Sequence, residues 1–363
     1  MNTKLVQIDE NNIDQTSITE AGKILKSGGL VAFPTETVYG LGGDALQKES
    51  SRKIYAAKGR PSDNPLIVHI CRWEDIGQIA RNIPEFAKKL ADAFWPGPLT
   101  MILEKTDDVP RETTGGLDTV AVRMPNHKIA LALIGAAGGY IAAPSANTSG
   151  KPSPTRAEHV VEDMQGRIEL IIDGGSVGIG LESTIVDLTS ETPVILRPGY
   201  ITQDMLERAL GHHVDVDKTI LDGNSKQAPK APGMKYRHYA PKGDLTIVDG
   251  KSTDVVEMIR KLSAEKMAAG ERVGIICTDE TRGMYNADCI MSVGARKDEA
   301  SIARHLFAIL RQFDEEQVTV IYSEAFSDRG LGQAIMNRLL KAAGHHVLYT
   351  DKQEGTGNDS IGM

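Results

Sequence analysis

The sequence has 363 residues, enough for two domains of ordinary size, and its 40% hydrophobic and 25% charged residues predict a folded protein rather than a disordered one. The formal net charge of -8 disfavours a broad nucleic-acid-binding surface. No apolar run is long enough to span a membrane and the N-terminus lacks an apolar signal core, so we expect a cytoplasmic protein without membrane association. Three scattered cysteines predict neither a disulfide framework nor a thiolate zinc site.

Residues 1–211 predict a mixed α/β domain. Strands at 5–8 and 30–33 flank a helix, which we expect to begin at a capping box of Ser17 and Glu20 and to end at Gly28-Gly29. Further strands are predicted at 66–70, 99–103, 120–124, 140–143, 170–173, 184–188 and 194–196, and helices at 85–94, 128–137, 156–164 and 203–210. Because strands outnumber helices and several lie close together in sequence, a twisted open mixed sheet is expected.

Residues 212–243 predict an interdomain linker, since the segment is too long and polar for an ordinary connection. Its end, APGMKYRHYAP, concentrates aromatic and cationic residues, which suggests that part of it folds over another surface. From 244 to 350, strands at 245–248, 273–277, 290–293, 318–322 and 347–349 alternate with helices at 255–267, 302–313 and 334–343. This alternation predicts a smaller Rossmann-like parallel α/β domain, followed by a polar tail at 351–363. The sequence does not indicate a role for that domain.

A short cationic segment precedes one of the predicted strands. Residues 58–66, KGRPSDNPL, place Lys58 and Arg60 on either side of Gly59, and two prolines stiffen the segment. We expect a stiff, solvent-facing loop in which Arg60 grips phosphate oxygens and Lys58 adds a compact positive charge. A solvated surface turn without a ligand is the alternative interpretation.

Three other loops follow predicted strands and carry polar groups suited to an anion. FPTETVYGLG at 33–42 offers threonines and a carboxylate, although a capped turn is an equal alternative. AAPSANTSGKPS at 142–153 offers hydroxyls, an amide and a lysine among prolines, which favours a site over a flexible loop. DGGSVGIGLEST at 173–184 has the wrong spacing for a dinucleotide fingerprint. The chain also lacks H-E-x-x-H, Walker and nucleophile-elbow patterns.

Together these segments resemble one family. FPTETVYGLG, KGRPSDNPL, WPGPLT, VAVRMP, APSANTSGKPSPT, GGSVGIGLESTIVD and ILRPG, in this order, are similar to the YrdC-like threonylcarbamoyl-AMP synthases over about residues 20–200. The APGMKYRHYAP segment and the trailing α/β domain resemble the long, two-domain form. The resemblance implies a nucleotidyltransferase that converts L-threonine, bicarbonate and ATP into L-threonylcarbamoyl-AMP and pyrophosphate. Other proteins would then transfer the threonylcarbamoyl group to a tRNA adenosine, and a weak direct tRNA contact stays open.

The resemblance also implies site residues, residue by residue. Lys58 and Arg60 would be catalytic. The ATP-binding set would be Lys58, Arg60, Asn64, Thr119, Ser145, Asn147, Ser153, Arg197 and Tyr236, with His238 closing over the nucleotide beside Tyr236. The threonine-binding set would be Thr37, His69, Arg123, Ala143 and Ser183. From position alone, His69 in a strand predicts only a core histidine, so its role comes from the resemblance.

Magnesium is expected with ATP, but no carboxylate cluster indicates where it binds, and Glu36 and Glu182 are only candidates. No residue is singled out as a general base. Two alternatives stay open. One is an RNA-binding module with a YrdC-like concavity, which the negative net charge disfavours. The other is a different carbamoyl transfer, as in maturation proteins that carry zinc-finger modules, and the missing cysteine pairs disfavour it.

Overall fold

The computed structural model describes residues 2–217 and 238–350. Tyr236, the middle of the predicted linker and the predicted polar tail lie outside the described residues. Two sheets organise the described chain, a large mixed one followed by a smaller parallel one, and the predicted fold class is thereby confirmed.

The first part of the chain forms strands β1 to β12 and helices α1 to α7. The strands are β1 Lys4–Gln7, β2 Val31–Phe33, β3 Gly40–Asp44, β4 Ile67–His69, β5 Ala80–Arg81, β6 Leu99–Lys105, β7 Thr119–Arg123, β8 Ile141–Ala142, β9 Leu170–Asp173, β10 Thr184–Asp187, β11 Val194–Arg197 and β12 Asp215–Val216. The helices are α1 Gln15–Lys26, α2 Lys48–Lys58, α3 Ile76–Ile79, α4 Glu85–Phe94, α5 Lys128–Ala136, α6 Ala157–Met164 and α7 Gln203–Leu210.

The first sheet mixes parallel and antiparallel pairs. Its order in the described part of the chain is β1-β9-β2-β3-β8-β4-β7-β6-β10-β11-β12, with β5 paired to β6. β4 runs parallel to β7, which sets His69 opposite Arg123. β2 and β3 form an antiparallel pair that sets Phe33 opposite Gly40. Strand ends that are distant in sequence therefore meet near the centre of the sheet, where the polar loops begin.

The structure of this domain differs from the local predictions at three places. Helix α1 starts after Asp14, whose side chain accepts a hydrogen bond from the Thr16 amide, so Ser17 and Glu20 lie inside the helix instead of capping it. The helix α2 was not predicted, because its sequence KESSRKIYAAK has too few apolar residues to show a clear period. Strand β12 lies within the predicted linker, so the first sheet continues past residue 211.

The second part of the chain follows the predicted alternation closely. Its strands are β13 Asp244–Asp249, β14 Val273–Cys277, β15 Cys289–Ser292, β16 Val320–Glu324 and β17 Val347–Tyr349, and its helices are α8 Ser252–Ala268, α9 Glu299–Glu315 and α10 Leu331–Ala342. The sheet order is β15-β14-β16-β13-β17, and every pair is parallel. In the first turn of α10, the Gly332 amide donates to the Glu299 carboxylate at 3.1 Å.

The two parts of the chain pack against each other. Val38 and Leu181 of the first part are buried in one apolar cluster with Phe307 of α9. Gly180 has a φ of +87°, and a Cβ there would lie 2.5 Å from the Arg304 Cα, so the loop can approach α9 this closely only as glycine. The second domain is therefore docked on the loops that follow β2 and β9.

Arg311 of α9 forms a polar contact within this interface. Its Nη2 donates to the Asp163 carboxylate at 2.7 Å, and Nε and Nη2 both donate to the Pro152 carbonyl at 3.1 and 2.7 Å. Arg311 and Asp163 are both almost fully buried. Lys151 also pairs with Asp163 at 2.8 Å, so this carboxylate has two cationic partners.

No helix among the described residues is long and apolar enough to cross a bilayer.

We expect Arg311→Met to lower the free energy of unfolding by about 3 kcal/mol, because it removes one partner of a buried ion pair. The loss stays near this value because Lys151 still pairs with Asp163. Urea unfolding followed by tryptophan fluorescence measures it, since Trp73 and Trp95 both report on the first domain.

The matched control is Arg272→Met, which breaks an exposed pair with Glu316 in the same domain. Its effect should stay within about 0.5 kcal/mol. Equal shifts for the two variants would contradict the view that Arg311 holds the domains together.

Candidate functional site

One pocket in the first domain, closed at one side by His238 and Tyr239, collects most of the predicted site residues. Of the described members of the two predicted ligand sets, those that line it are Thr37, Lys58, Arg60, His69, Arg123, Ala143, Ser145, Asn147, Ser183 and Arg197. The pocket also contains Glu182 and residues that the sequence did not single out: Thr35, Val38, Tyr39, Gly40, Ile67, Pro144, Ser149, Gly150 and Tyr239. The loops after β2, β8 and β9 therefore meet the end of α2 and strand β4 at one place.

Three members of the predicted ATP set lie away from the pocket wall. Asn64 is buried, and its carbonyl accepts a hydrogen bond from Arg60 Nε at 3.2 Å. Ser153 is fully buried and donates its hydroxyl to Glu182. Thr119 begins β7 while Arg123 ends it, so about 13 Å of extended chain separates the two. Asn64 and Ser153 thus reach the pocket through another residue, and Thr119 lies at the far end of the strand.

Lys58 is the last residue of α2. The prediction that it belongs to a solvent-facing loop is wrong. Gly59 ends the helix with a φ of 63°, the left-handed conformation that glycine adopts at little cost. Lys58 is only 3% exposed, and its ammonium donates to the carbonyls of Ser145 and Asn147. Burial, with a smaller contribution from Arg60, holds the Lys58 pKa well below its ordinary value. The cation thus holds the Ser145–Asn147 turn against the end of α2.

The loop after β8 is rigid, as its prolines suggested. The Ser145 hydroxyl donates to the Asn147 side-chain oxygen. The Asn147 amide nitrogen donates to the carbonyls of Thr148 and Lys151 at 2.8 and 2.9 Å. This side-chain amide therefore closes the turn on itself, and the hydroxyl and backbone groups of the turn face the pocket.

Arg197 and Ser183 form a second cationic corner. Arg197 ends β11, is 5% exposed, and donates from Nε to the Ser183 carbonyl at 3.0 Å and from Nη2 to the Ser183 hydroxyl oxygen at 3.1 Å. The Ser183 hydroxyl is also 2.8 Å from that of Thr100. Burial lowers the pKa of Arg197 to about 10, a value at which the guanidinium stays charged at neutral pH.

Arg123 and His69 also line the pocket, at the ends of the neighbouring strands β7 and β4. Arg123 Nη1 donates to the Thr37 hydroxyl at 2.9 Å, and its Nη2 lies 2.7 Å from the Glu36 carboxylate. His69 Nδ1 donates to the Ile67 carbonyl at 3.2 Å. Burial and the nearby Arg123 charge lower the pKa of His69 to about 3, so its ring is neutral at physiological pH.

The FPTETVYGLG turn brings in two further lining residues, Thr35 and Tyr39. The Thr35 hydroxyl donates to the Val38 carbonyl at 2.7 Å and lies 2.9 Å from the Thr37 hydroxyl. The Tyr39 hydroxyl donates to the Gly175 carbonyl at 2.6 Å. The two alternative predictions for this segment thus both hold in part, because the turn is capped by its own threonine and also lines the pocket.

His238 and Tyr239 lie at the start of the described part of the second domain and reach back to the pocket. The Tyr239 ring stacks against Phe307 of α9, with ring centroids 5.0 Å apart, and the His238 ring lies 5.5 Å from that of Tyr239. The Ala240 amide donates to the Gly150 carbonyl. The aromatic and cationic composition of APGMKYRHYAP had predicted that part of this segment folds over another surface.

The two candidate metal ligands are both paired with arginine. Glu36 faces Arg123, and Glu182 faces Arg338 of α10 at 3.0 Å. Among residues 2–217 and 238–350, no group of three or more His, Cys, Asp or Glu side chains is arranged to hold a metal ion. The described residues therefore do not fit a resident magnesium site.

The pocket carries a strong positive charge inside an acidic protein. Four cationic side chains, those of Lys58, Arg60, Arg123 and Arg197, line it in the described chain, against the single lining carboxylate of Glu182. Hydroxyls and backbone groups fill the space between them. Such a pocket can bind a polyanion at one end and a carboxylate at the other.

Comparison with known proteins gives a consistent result along the chain. A Sua5/YciO/YrdC family model described as "Telomere recombination" matches residues 23–199, and a model described as "Threonylcarbamoyl-AMP synthase, C-terminal domain" matches residues 201–344. The chain is 49% identical over 346 residues to the threonylcarbamoyl-AMP synthase of Pyrococcus abyssi, across 95% of this chain and 99% of that protein. It is 50% identical over 341 residues to that of Bacillus subtilis, across 94% and 96%.

A solved structure is similar over both domains. The crystal structure of P. abyssi Sua5 complexed with L-threonine aligns with a TM-score of 0.91 and 48% sequence identity, covering 96% of this chain and 99% of that one.

The low pKa of His69 predicts a pH dependence of stability. Below about pH 6.5 the unfolded chain binds a proton that the folded chain does not bind until about pH 3, so stability falls as pH falls through this window. His69→Gln removes this contribution. Between pH 7 and pH 5 the wild-type chain should lose about 2 kcal/mol more unfolding free energy than the variant does, as measured by urea unfolding at each pH. Identical losses in the two proteins would show that His69 is not held neutral.

Proposed function

This chain belongs to the threonylcarbamoyl-AMP synthase family, and we propose that it condenses L-threonine, bicarbonate and ATP into L-threonylcarbamoyl-AMP, pyrophosphate and water. The observation that carries the proposal is the convergence of the two predicted ligand sets on one pocket. Cations and donors suited to a triphosphate occupy one end, and a buried arginine with hydroxyls and a neutral histidine occupies the other. As a reaction class this is nucleotidyl transfer.

The threonine end would hold its ligand by complementary charge and hydrogen bonds. Arg123 is the natural partner for a carboxylate, and the Thr37 hydroxyl beside it adds a polar contact. Because Nδ1 of neutral His69 donates to the Ile67 carbonyl, Nε2 is left as an acceptor toward the pocket. That acceptor suits the hydroxyl or amino group of the amino acid.

The nucleotide end would act mainly by neutralising and orienting phosphates. Lys58 holds the Ser145–Asn147 turn, and Arg60 and Arg197 line the same pocket. The hydroxyl and small residues of the turn would let phosphate oxygens approach closely. His238 and Tyr239 close one side of this end and reduce the access of water.

The chemistry then needs two anions to meet. The threonine amine and bicarbonate form a carbamate with loss of water, and a carbamate oxygen attacks the α-phosphorus of ATP while the bond to the leaving pyrophosphate breaks. Lys58 and the arginines lower the repulsion between the two anions and hold them in line. His69, with a pKa of about 3, is too weak a base to take the amine proton, so this role is not given to it.

Several finer statements stay predictions. Magnesium would enter with the nucleotide, because the described side chains form no cluster for it. We also propose that the protein works in the cytoplasm, makes a weak contact with tRNA and delivers its product to tRNA-modifying proteins. We further propose a first domain that continues through β12, a linker that ends at residue 243 and a second domain at 244–350.

The proposed reaction is tested by pyrophosphate release. We expect release only when ATP, L-threonine and bicarbonate are all present, because the carbamate must form before it attacks the phosphorus. Assays that omit one component are the controls. Release that continues without L-threonine or without bicarbonate would reject the synthase, and ATP-independent RNA binding without turnover would favour the RNA-binding alternative.

Lys58→Ala and Arg60→Ala should each lower kcat/KM by about a hundredfold or more, because each removes a cation that faces the developing phosphate charge. Lys58→Ala also frees the Ser145 and Asn147 carbonyls that it holds. The same pyrophosphate assay measures this loss, and circular dichroism checks folding.

Arg52→Ala is the matched control, since Arg52 lies on the same helix but pairs with Glu49 and Glu112 at the surface. It should retain nearly full activity. Normal turnover by either pocket variant would remove the phosphate role.

A further inference from the structure

One arginine of the second domain reaches the wall of the pocket in the first domain. Arg338 lies on α10 and is 0% exposed, which makes it one of the largest fully buried side chains in the described chain. Its Nε donates to Glu182 Oε2 at 3.0 Å across the domain interface. The same guanidinium donates to the Pro198 carbonyl and, at 3.3 Å, to the Glu182 carbonyl.

The carboxylate that Arg338 binds is the one that lines the pocket. Glu182 Oε1 accepts the Ser153 hydroxyl while Oε2 accepts Arg338, so both oxygens are occupied by partners outside the pocket. Ser153 belongs to the predicted ATP set but does not line the pocket itself. Arg338, Glu182 and Ser153 therefore form one connected chain from α10 to the nucleotide end.

The electrostatic consequence follows from burial. Burial alone would raise the pKa of Glu182, but the charges of Arg338 and Arg197 with the Ser153 hydrogen bond outweigh it and hold that pKa below its ordinary value. Glu182 is thus an ionised carboxylate beside the place where phosphates would bind. Without Arg338 its negative charge would be poorly compensated and would repel them.

Simple docking of the two domains does not account for this arrangement. Arg304 of α9 also crosses the interface, but within the described chain its side chain donates to the Gly178 carbonyl, outside the pocket lining. Arg338 is distinct because it binds a side chain that faces the pocket, and because a fully buried guanidinium is costly unless its partner is fixed.

We propose, on the basis of the proposed function, that Arg338 is a positioning residue for nucleotide binding. It neutralises Glu182 and fixes the Ser153–Glu182 wall, so that the second domain completes the nucleotide end of a pocket otherwise built by the first. The second domain thereby gains a role in binding ATP without touching the nucleotide.

The test compares ATP binding in full-length variants by titration calorimetry with magnesium-ATP, alongside KM for ATP and for L-threonine. Arg338→Met should weaken ATP binding by about tenfold or more, because it removes the arginine that is hydrogen-bonded to the Glu182 carboxylate, and should leave KM for L-threonine within about twofold. Arg338→Lys keeps the charge but loses the planar fork, so an intermediate loss is expected. Arg304→Met, the matched interface control, should bind ATP within about twofold of wild type.

The double variant Arg338→Met with Glu182→Gln distinguishes an electrostatic effect on ATP binding from a loss of contact between the domains. Because it removes the uncompensated carboxylate, it should regain most of the ATP affinity lost by Arg338→Met. It also carries the test if the single variant does not fold, since no unpaired charge is left buried. A double variant that folds yet binds ATP as weakly as the single variant would overturn the proposal in favour of a docking role.

Wild-type affinity in Arg338→Met would also overturn it. Failure of the proposed function has a different signature, which is a wild-type protein that binds ATP but releases no pyrophosphate with the three substrates. In that case the affinities of the variants still decide the role of Arg338.

Discussion

The burial of several cations around one small pocket is the constraint on which the rest of the site depends. Lys58, Arg123 and Arg197 are each no more than 5% exposed, and a buried charge is costly unless it is hydrogen-bonded or paired. The chain satisfies them mostly with backbone carbonyls: those of Ser145 and Asn147 for Lys58, and that of Ser183 for Arg197. Carbonyls hold a cation without cancelling its charge, so the pocket stays positive in a protein whose net charge is -8.

This constraint explains the mixed sheet and its short, rigid connections. Carbonyls can hold the cations only if loops that are distant in sequence end beside one another, and the antiparallel β3 between β2 and β8 achieves this. The Pro144 carbonyl accepts from Leu41 and the Tyr39 carbonyl accepts from Ala146, which ties the two loops together through the backbone. The ends of the central strands thus form a preorganised site, which lowers the ordering cost of binding a ligand.

Most elements were predictable because their apolar period or their caps are local properties. The bounds of α4, α7, β9 and β14 match the predicted ranges, and the second domain follows its predicted alternation. By contrast, β3 was missed because its sequence GLGGD offers three glycines and almost no side-chain pattern. The burial of Lys58 was missed for another reason: its partners lie 87 and 89 residues away. The Arg338–Glu182 pair spans 156 residues, so no local pattern could indicate it.

Arg197 and Arg123, which both line the pocket, differ in how their charge is balanced. This difference affects which ligand each can bind. Arg197 donates to the carbonyl and the hydroxyl oxygen of Ser183, which are neutral acceptors. Burial lowers its pKa, and the nearby Glu182 carboxylate acts on that pKa in the opposite direction. Arg123 already faces the nearly buried Glu36, so an incoming carboxylate must share that guanidinium and gains less from charge alone. A ligand beside Arg123 would then gain the rest of its binding free energy from the Thr37 hydroxyl and neutral His69. This arrangement favours a small molecule with both a carboxylate and a second polar group over a simple anion.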